Sequence, residues 1–420
     1  DLGFAVARCL EFRRDRPSPA VTRTSPLHFS DRVQRLAPSA TLALVQKVRE
    51  MRAAGIEVLA LTAGEPDFTP PRAAEEAGIA AIRNGQGKYT PASGTQTLRE
   101  AVCEHIQQDI GLLYEPSEIV VTNGAKIGIA QALLAMVQAG DEVLLPTPCW
   151  TSYPEIVQIA DATPVMVACG ADHLPRVADL EAARSERSRV ILLNTPSNPT
   201  GAVYPESTLH ELGEWALAHD IAVISDEIYA ALVFDGAVHR SPLAVVPGLR
   251  ETSVWIGGMS KAYAMTGWRM GFVAAPEPLA KKIGSLQSQL AGSPCAISQA
   301  ASVAALREGA AERELMRAAF EQRSHLVVAG LRAIPGLQCE APSGAFYAFP
   351  SLGPYLGKTD PVTRRRMESG DDLAEVLLEV DRVSCIGGGA FGKSDAIRLS
   401  FAASESVLRD ALARISARLA

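Results

Sequence analysis

Between residues 118 and 258 the chain repeats one pattern six times: a short, unbroken apolar run, then a longer stretch of mixed polarity. The runs are EIVVT (118–122), DEVLLP (141–146), PVMVA (164–168), RVILLN (189–194), IAVISD (221–226) and SVWIGG (253–258). None alternates polar with apolar residues, so each reads as a strand covered on both faces. The stretches between them have helical character, and strands alternating with helices imply an α/β domain with a mostly parallel central sheet sandwiched by helices.

Helices also precede the repeat. TLALVQKVREMRAAG carries Leu42, Leu44, Val45, Val48 and Met51 mostly at helical spacing and stops at Gly55. LREAVCEHIQQDIG places Leu98, Val102, Ile106 and Ile110 four apart on one face and closes on Gly111. Beyond about Ala300 the texture changes to long charged amphipathic helices, then SGAFYAFP, a loop containing TDPVTRRRMESGDD, and a closing helix SESVLRDALARISARL. That reads as a second, smaller α+β domain. The expected division is an extension over 1–30, an N-terminal part of the small domain over 31–61, a large domain over 62–301 and the small C-terminal domain over 302–420.

Composition narrows the function. With 420 residues, 47% hydrophobic and 21% charged, the chain has the balance of an ordinary globular protein. Its net charge of −7 argues against nucleic acid as the main partner. No apolar run approaches the roughly 20 residues that span a bilayer. Seven scattered cysteines, none in a C-x-x-C or Cys/His ligand spacing, read as reduced thiols of an intracellular, cytoplasmic protein without a metal site. The segment ARCLEFRRDRPSPAVTRTSP is rich in Arg, Pro and Ser/Thr, which fits a disordered extension or an organellar transit segment. Asp1, Glu11 and Asp15 count against the transit reading, which would otherwise place the protein in a plastid or mitochondrion.

Ligands of open α/β sheets bind beyond the carboxyl ends of the strands, so those ends hold the candidates. IAVISDEIY ends its strand on Asp226, with Tyr229 three residues on. The residue either caps the next element or meets a permanent cation, such as a protonated pyridine nitrogen. RVILLNTPSNPTG ends in a turn that Pro196, Pro199 and Gly201 stiffen around Asn198. TNGAKIGIAQALL puts Gly124, Ala125 and Lys126 at a helix start, where free N–H groups favour an anion. Trp150 in LLPTPCWTSYPE offers a flat face for stacking on a heteroaromatic ring, or simply packs in the core. MSKAYAMTGWRMG sets Lys261 and Arg269 eight positions apart among small and turn-forming residues.

The segments LTAGEPDF, KYTPASGTQTLREA, TPCWTSYPE, NTPSNPTGAVYP, VISDEIY, SKAYAMTGWRMG and SGAFYAFP occur in the order and at the spacings of class I aminotransferases. From about residue 30 onward the chain resembles these pyridoxal-phosphate enzymes of fold type I, and within them the prokaryotic-type aspartate and prephenate aminotransferases. The resemblance implies that Lys261 forms the aldimine with the cofactor and, once freed, carries a proton in a ping-pong exchange of amino groups between an amino acid and 2-oxoglutarate. It further implies that Asp226 keeps the pyridine nitrogen protonated, that Tyr229 and Asn198 reach the ring 3-oxygen, and that Trp150 stacks on the ring. Arg269, Ser260, Gly124 and Ala125 would hold the phosphate, and Tyr89 would reach it from the other subunit of an obligate homodimer with active sites at the interface. Arg398 in AIRLSFA and the Gly64 backbone would take the substrate α-carboxylate, with Trp150 and Asn198 beside them. Lys126 and Thr41 would recognise an acidic side chain, which points to aspartate. Ala37 stands where many relatives carry a basic residue, and GAK replaces the commoner GGK; both departures bear on prephenate use.

Two competing patterns are present. GGGAFG at 387–392 fits G-x-G-x-x-G, but it leads into a strand and not a helix, so it is no dinucleotide fingerprint. A carbon–sulfur β-lyase on the same fold would keep Lys261, Asp226 and Arg269, and only the substrate can separate the two activities.

Overall fold

The computed structural model describes residues 29–37 and 40–420, with residues 40–42 described by their backbone alone. The expectation of an extension over 1–30 therefore falls almost wholly outside the described residues. Two compact units are present, one up to Arg35 and one from Leu36 to Ala420. In the first, the described part is a short helix Asp31–Gln34. The remaining elements belong to the second.

Its centre is a seven-stranded sheet in the order Ile119–Thr122, Gly271–Ala274, Val254–Gly258, Ala222–Asp226, Ser188–Asn194, Glu142–Thr147, Thr163–Ala168. The last five run parallel, while Gly271–Ala274 runs antiparallel to both of its neighbours. This reversed strand, GFVA, was not anticipated from the sequence. It returns the chain beside Val254–Gly258, pairing Gly258 with Gly271.

Successive side chains on a strand point to opposite faces, and here both faces are covered. Val121, Leu144, Ile191, Leu193, Val223 and Phe272 join one apolar cluster. Their neighbours Val120, Val143, Leu145, Val190, Leu192, Ile224 and Val273 join another on the opposite face. The unbroken apolar runs are explained by this double burial, with one correction. Thr163–Ala168 is the sheet edge, and most of its residues are exposed or half-buried, so it is not covered on both faces as its sequence implied.

A third cluster gathers Leu59 and Leu61 with Phe320, Phe346, Phe401 and Leu412, and with Leu232 and Phe234. It is flanked by two small sheets: Leu59–Ala60 pairs in parallel with Val383–Ser384, and Ile397–Ser400 lies between Ile386–Gly387 and Tyr347–Ala348. The helices Gln96–Ile110, Ala310–Arg332 and Glu405–Leu419 form where amphipathic spacing placed them. Gly111, at φ 76, ends the first of these in the left-handed conformation that glycine adopts freely. The GGGAFG segment folds into a short 3₁₀ turn at Gly388–Phe391 before the strand Ile397–Ser400, so the dinucleotide reading fails on structure as well.

Candidate active site

The parallel strands and Ile119–Thr122 end on one edge of the sheet, and the reversed strand begins there. Eight chain segments, five of them at or just beyond these strand ends, line a cavity of about 270 Å³. Of the residues singled out from sequence, Gly64, Ala125, Lys126, Trp150, Asn198, Asp226, Tyr229, Ser260, Lys261, Arg269 and Arg398 all line it. Gly124 lies next to it, capping the helix Ala125–Met136. Tyr89 does not join them within this chain: its side chain is 97% exposed. Thr41 belongs to the helix Ala40–Ala53, and its side chain lies outside the described residues.

At the floor, Asp226 is 3% exposed. Its Oδ2 accepts a 2.7 Å hydrogen bond from the Tyr153 hydroxyl, and its Oδ1 accepts from the Ile228 backbone N–H at 3.2 Å. Burial pushes the carboxyl up to about 6; those two donors oppose the rise, the neighbouring Glu227 adds to it, and Lys261 counters it. Asn194 supports the same corner, with Nδ2 donating to the Asp226 carbonyl at 2.9 Å and Oδ1 accepting from the Asn198 N–H at 2.8 Å.

Lys261 sits in the turn after Val254–Gly258 and donates from Nζ to the Gly64 carbonyl. Burial lowers its ammonium to about 8; Glu65 opposes this, and the Arg398 cation reinforces it. A lysine in that range is partly deprotonated near neutrality and can act as nucleophile and base.

At the opposite end of the loop, Arg269 has a left-handed φ of 56. Its guanidinium donates to the Thr266 and Asn123 carbonyls, at 3.0 and 3.4 Å, and forms no ion pair among the described residues. Gly124 faces it at φ +94, and a Cβ there would lie 2.6 Å from Arg269 Nη2. A Cβ on Gly271 would lie 2.3 Å from the Ala125 amide nitrogen. Both glycines clear space around a helix N-terminus and an unpaired guanidinium, a combination that suits phosphate.

Arg398 comes from the strand Ile397–Ser400 and is 2% exposed. Nη1 donates to Asn198 Oδ1 at 2.9 Å and Nη2 to the Thr62 carbonyl at 3.0 Å, while buried Nε has no partner. The guanidinium lies 4.4 Å from the Tyr347 ring centroid and 5.1 Å from that of Phe391. All of these partners are neutral, so burial lowers its proton affinity and leaves a cation that lacks a carboxylate. Lys126 Nζ lies 4.8 Å over the Trp150 ring, and desolvation and then Arg269 lower its proton affinity.

Tyr153, Asn194 and Tyr347 escaped the sequence reading. Tyr347 OH lies 2.9 Å from Tyr229 OH, so in this structure Tyr229 is engaged by another phenol. The signal for Tyr153 was its place one turn past Trp150 in TPCWTSYPE, and that for Tyr347 was the SGAFYAFP segment, neither tied to a partner.

The family model of class I and II aminotransferases matches residues 56–415. The aspartate aminotransferase of Rhizobium meliloti is 41% identical over 401 residues, covering 95% of this chain and 98% of that one. The bifunctional aspartate aminotransferase and glutamate/aspartate-prephenate aminotransferase of Petunia hybrida is 41% identical, covering 94% and 83%. Among solved structures, the Thermus thermophilus aspartate aminotransferase with maleate superposes with a TM-score of 0.87 at 38% identity, covering 94% of this chain and 100% of that one. With that match, the convergent strand ends and the lysine–arginine loop have one reading: the chain belongs to the class I and II aminotransferases, pyridoxal-phosphate enzymes of fold type I.

Proposed function

We propose that this aminotransferase takes aspartate as its preferred amino donor and 2-oxoglutarate as acceptor. The observation that carries the reading is the pair of cations on one cavity, Arg398 and Lys126, neither of which forms an ion pair with a carboxylate among the described residues. A dicarboxylate ligand satisfies both. Relatives named for aspartate support this, and relatives named for aspartate and prephenate make prephenate the second candidate.

The residues present fit pyridoxal phosphate: a cradle that a Cβ would fill beside Arg269, a buried carboxylate without a fixed cation at Asp226, and an amine of lowered proton affinity between them. When bound, the cofactor supplies an electron sink for the electrons released at the substrate Cα. Arg269, Ser260 and the Gly124–Ala125 backbone bind its phosphate. Asp226, kept ionised by Tyr153, holds a proton on the pyridine nitrogen. Asn198 and Tyr229 orient the ring oxygen, and Trp150 covers the ring face. Arg398 grips the α-carboxylate with the Gly64 backbone closing beside it, and the Lys261 amine moves the proton to and from Cα. Lys126, with Thr41, takes the second carboxylate.

The same reading extends to assembly. Tyr89 stands fully outside this chain's own cavity, as a residue completing the neighbouring site in a homodimer does. The pairing of Leu59–Ala60 with Val383–Ser384 supports grouping the end of the 31–61 segment with 302–420 in the smaller domain, with 62–301 as the larger. The six described cysteines are free, in keeping with a reducing, cytoplasmic setting. Among the described residues no helix is long and apolar enough to cross a membrane.

The test is a panel of amino donors against 2-oxoglutarate, with prephenate offered glutamate in the reverse sense. Aspartate with the highest kcat/KM supports the reading. Pyruvate and ammonia released from cystathionine without need of 2-oxoglutarate would replace it with a β-lyase.

A further inference from the structure

Directly behind Asp226 lies a second acid that the aminotransferase reading leaves without a role. Glu227 has a fully buried side chain, 0% exposed, that points away from the substrate cavity. Three donors meet it: Ser225 Oγ at 2.8 Å and Ser241 Oγ at 2.6 Å reach Oε1, and His239 Nε2 lies 2.7 Å from Oε2. Its backbone N–H donates to the Ile256 carbonyl at 2.9 Å, and its own carbonyl accepts from Ala230 at 2.9 Å. Glu227 thus ties the turn that carries both Asp226 and Tyr229 to the adjacent strand and to the 239–241 loop.

The protonation of this cluster is set by one orphaned atom. His239 Nδ1 is buried and has no partner among the described residues. A proton there would be a donor without an acceptor, whereas a bare nitrogen leaves only a lone pair unused, the less costly defect. The ring proton therefore sits on Nε2 and is donated to Glu227, which as an acceptor of three hydrogen bonds is a carboxylate. Other groups nearby do not cancel this charge. Asp226 is of the same sign, Tyr114 is a neutral phenol, and Arg250 beside it is paired to Glu118 at 2.6 Å. His105 and Asp109 line a small cavity shared with Glu227, and Asp109 is taken by Arg313 at 2.7 Å.

We propose that Glu227 is a positioning residue of the active site, a buried anion with only neutral donors. It adds a second negative charge behind Asp226 and holds the Asp226–Tyr229 turn in place. The proposal rests on the pyridoxal-phosphate assignment. Asp226 would face the cationic ring nitrogen directly and Glu227 would act from behind it, through the field alone.

The test uses the full-length protein loaded with pyridoxal phosphate and tracks the pH at which its visible absorption band changes. A wild-type protein with no such band refutes the cofactor assignment itself, a failure separate from that of the Glu227 role. Glu227→Gln keeps the shape and removes the charge, so the midpoint falls by about one pH unit, as loss of one nearby anion requires. An unchanged midpoint overturns the proposal. Glu227→Asp retains the charge and keeps the wild-type midpoint while kcat drops; a midpoint that falls as far as that of Glu227→Gln overturns it too. Should neither variant fold, His239→Gln still decides, because it retains a donor to Glu227. An unchanged midpoint supports a neutral ring, and a raised midpoint places a positive charge on His239 and refutes the uncompensated anion.

Discussion

Arg398 and Asn198, 200 positions apart in sequence, share a 2.9 Å hydrogen bond at the centre of the cavity. The bond links the C-terminal sheet to the turn after Ser188–Asn194, so the group that grips substrate is held by one that also faces the cofactor site. Removing the guanidinium should hurt every substrate alike. Arg398→Leu is expected to raise KM about a hundredfold or more for all amino acids, because the lost partner is their common carboxylate. A rise confined to aspartate would contradict that role.

Lys126 separates substrates where Arg398 does not. Lys126→Ala should lower kcat/KM for aspartate by about ten- to a hundredfold, the worth of one charged hydrogen bond. Alanine and phenylalanine, which lack a second carboxylate, should change far less. Equal losses would remove Lys126 from side-chain recognition.

Lys261→Ala should abolish the visible absorption of the loaded protein and lower turnover at least about 10⁴-fold, since nucleophile and proton carrier go together. Turnover at the wild-type rate would sink the assignment.

Asp226 makes a prediction about stability with an unusual sign. Its folded carboxyl titrates near 6, above the ordinary 3.8, so between those values the native state binds more protons than the unfolded chain. Stability of the cofactor-free protein therefore falls as pH rises through that window. Above it the buried charge costs about 3 kcal/mol, on the order of two pKa units. Asp226→Asn should be more resistant to urea than wild type at pH 7, with the difference gone below pH 4, while its cofactor affinity is lost.

Tyr153→Phe removes the 2.7 Å donor that keeps Asp226 ionised. The carboxyl then holds its proton to higher pH, and the acid limb of the activity profile should move up by about one unit. An acid limb that stays in place would mean that Tyr153 only packs.

Much of this site was legible because its residues sit at strand ends, where short apolar runs announce the position. Asp226 closes one such run, and Asn198 and Trp150 each follow theirs by four residues. Arg398 stood out as a cation inside one. Tyr153 and Tyr347 gave no comparable signal: each acts through a hydroxyl whose partner is 73 or 118 residues away. Glu227 lies in plain view within SDEIY, yet only the fold reveals that His239 and Ser241 close on it. The strand Gly271–Ala274 was missed because four residues are too few to show a period. The exposed edge Thr163–Ala168 was misjudged because its composition matches that of its buried neighbours.

The returning strand has a consequence for engineering. Gly258 pairs with Gly271, and the Met259 N–H donates to the Met270 carbonyl at 3.1 Å, so the loop bearing Lys261 and Arg269 is closed at its neck by backbone alone. The stem fixes where the two ends of the loop lie, while the amine and guanidinium are seated by the Gly64, Thr266 and Asn123 carbonyls. A loop cut out at this neck and grafted onto another stem would keep its closure but lose the Gly64 and Asn123 carbonyls that seat its two cations.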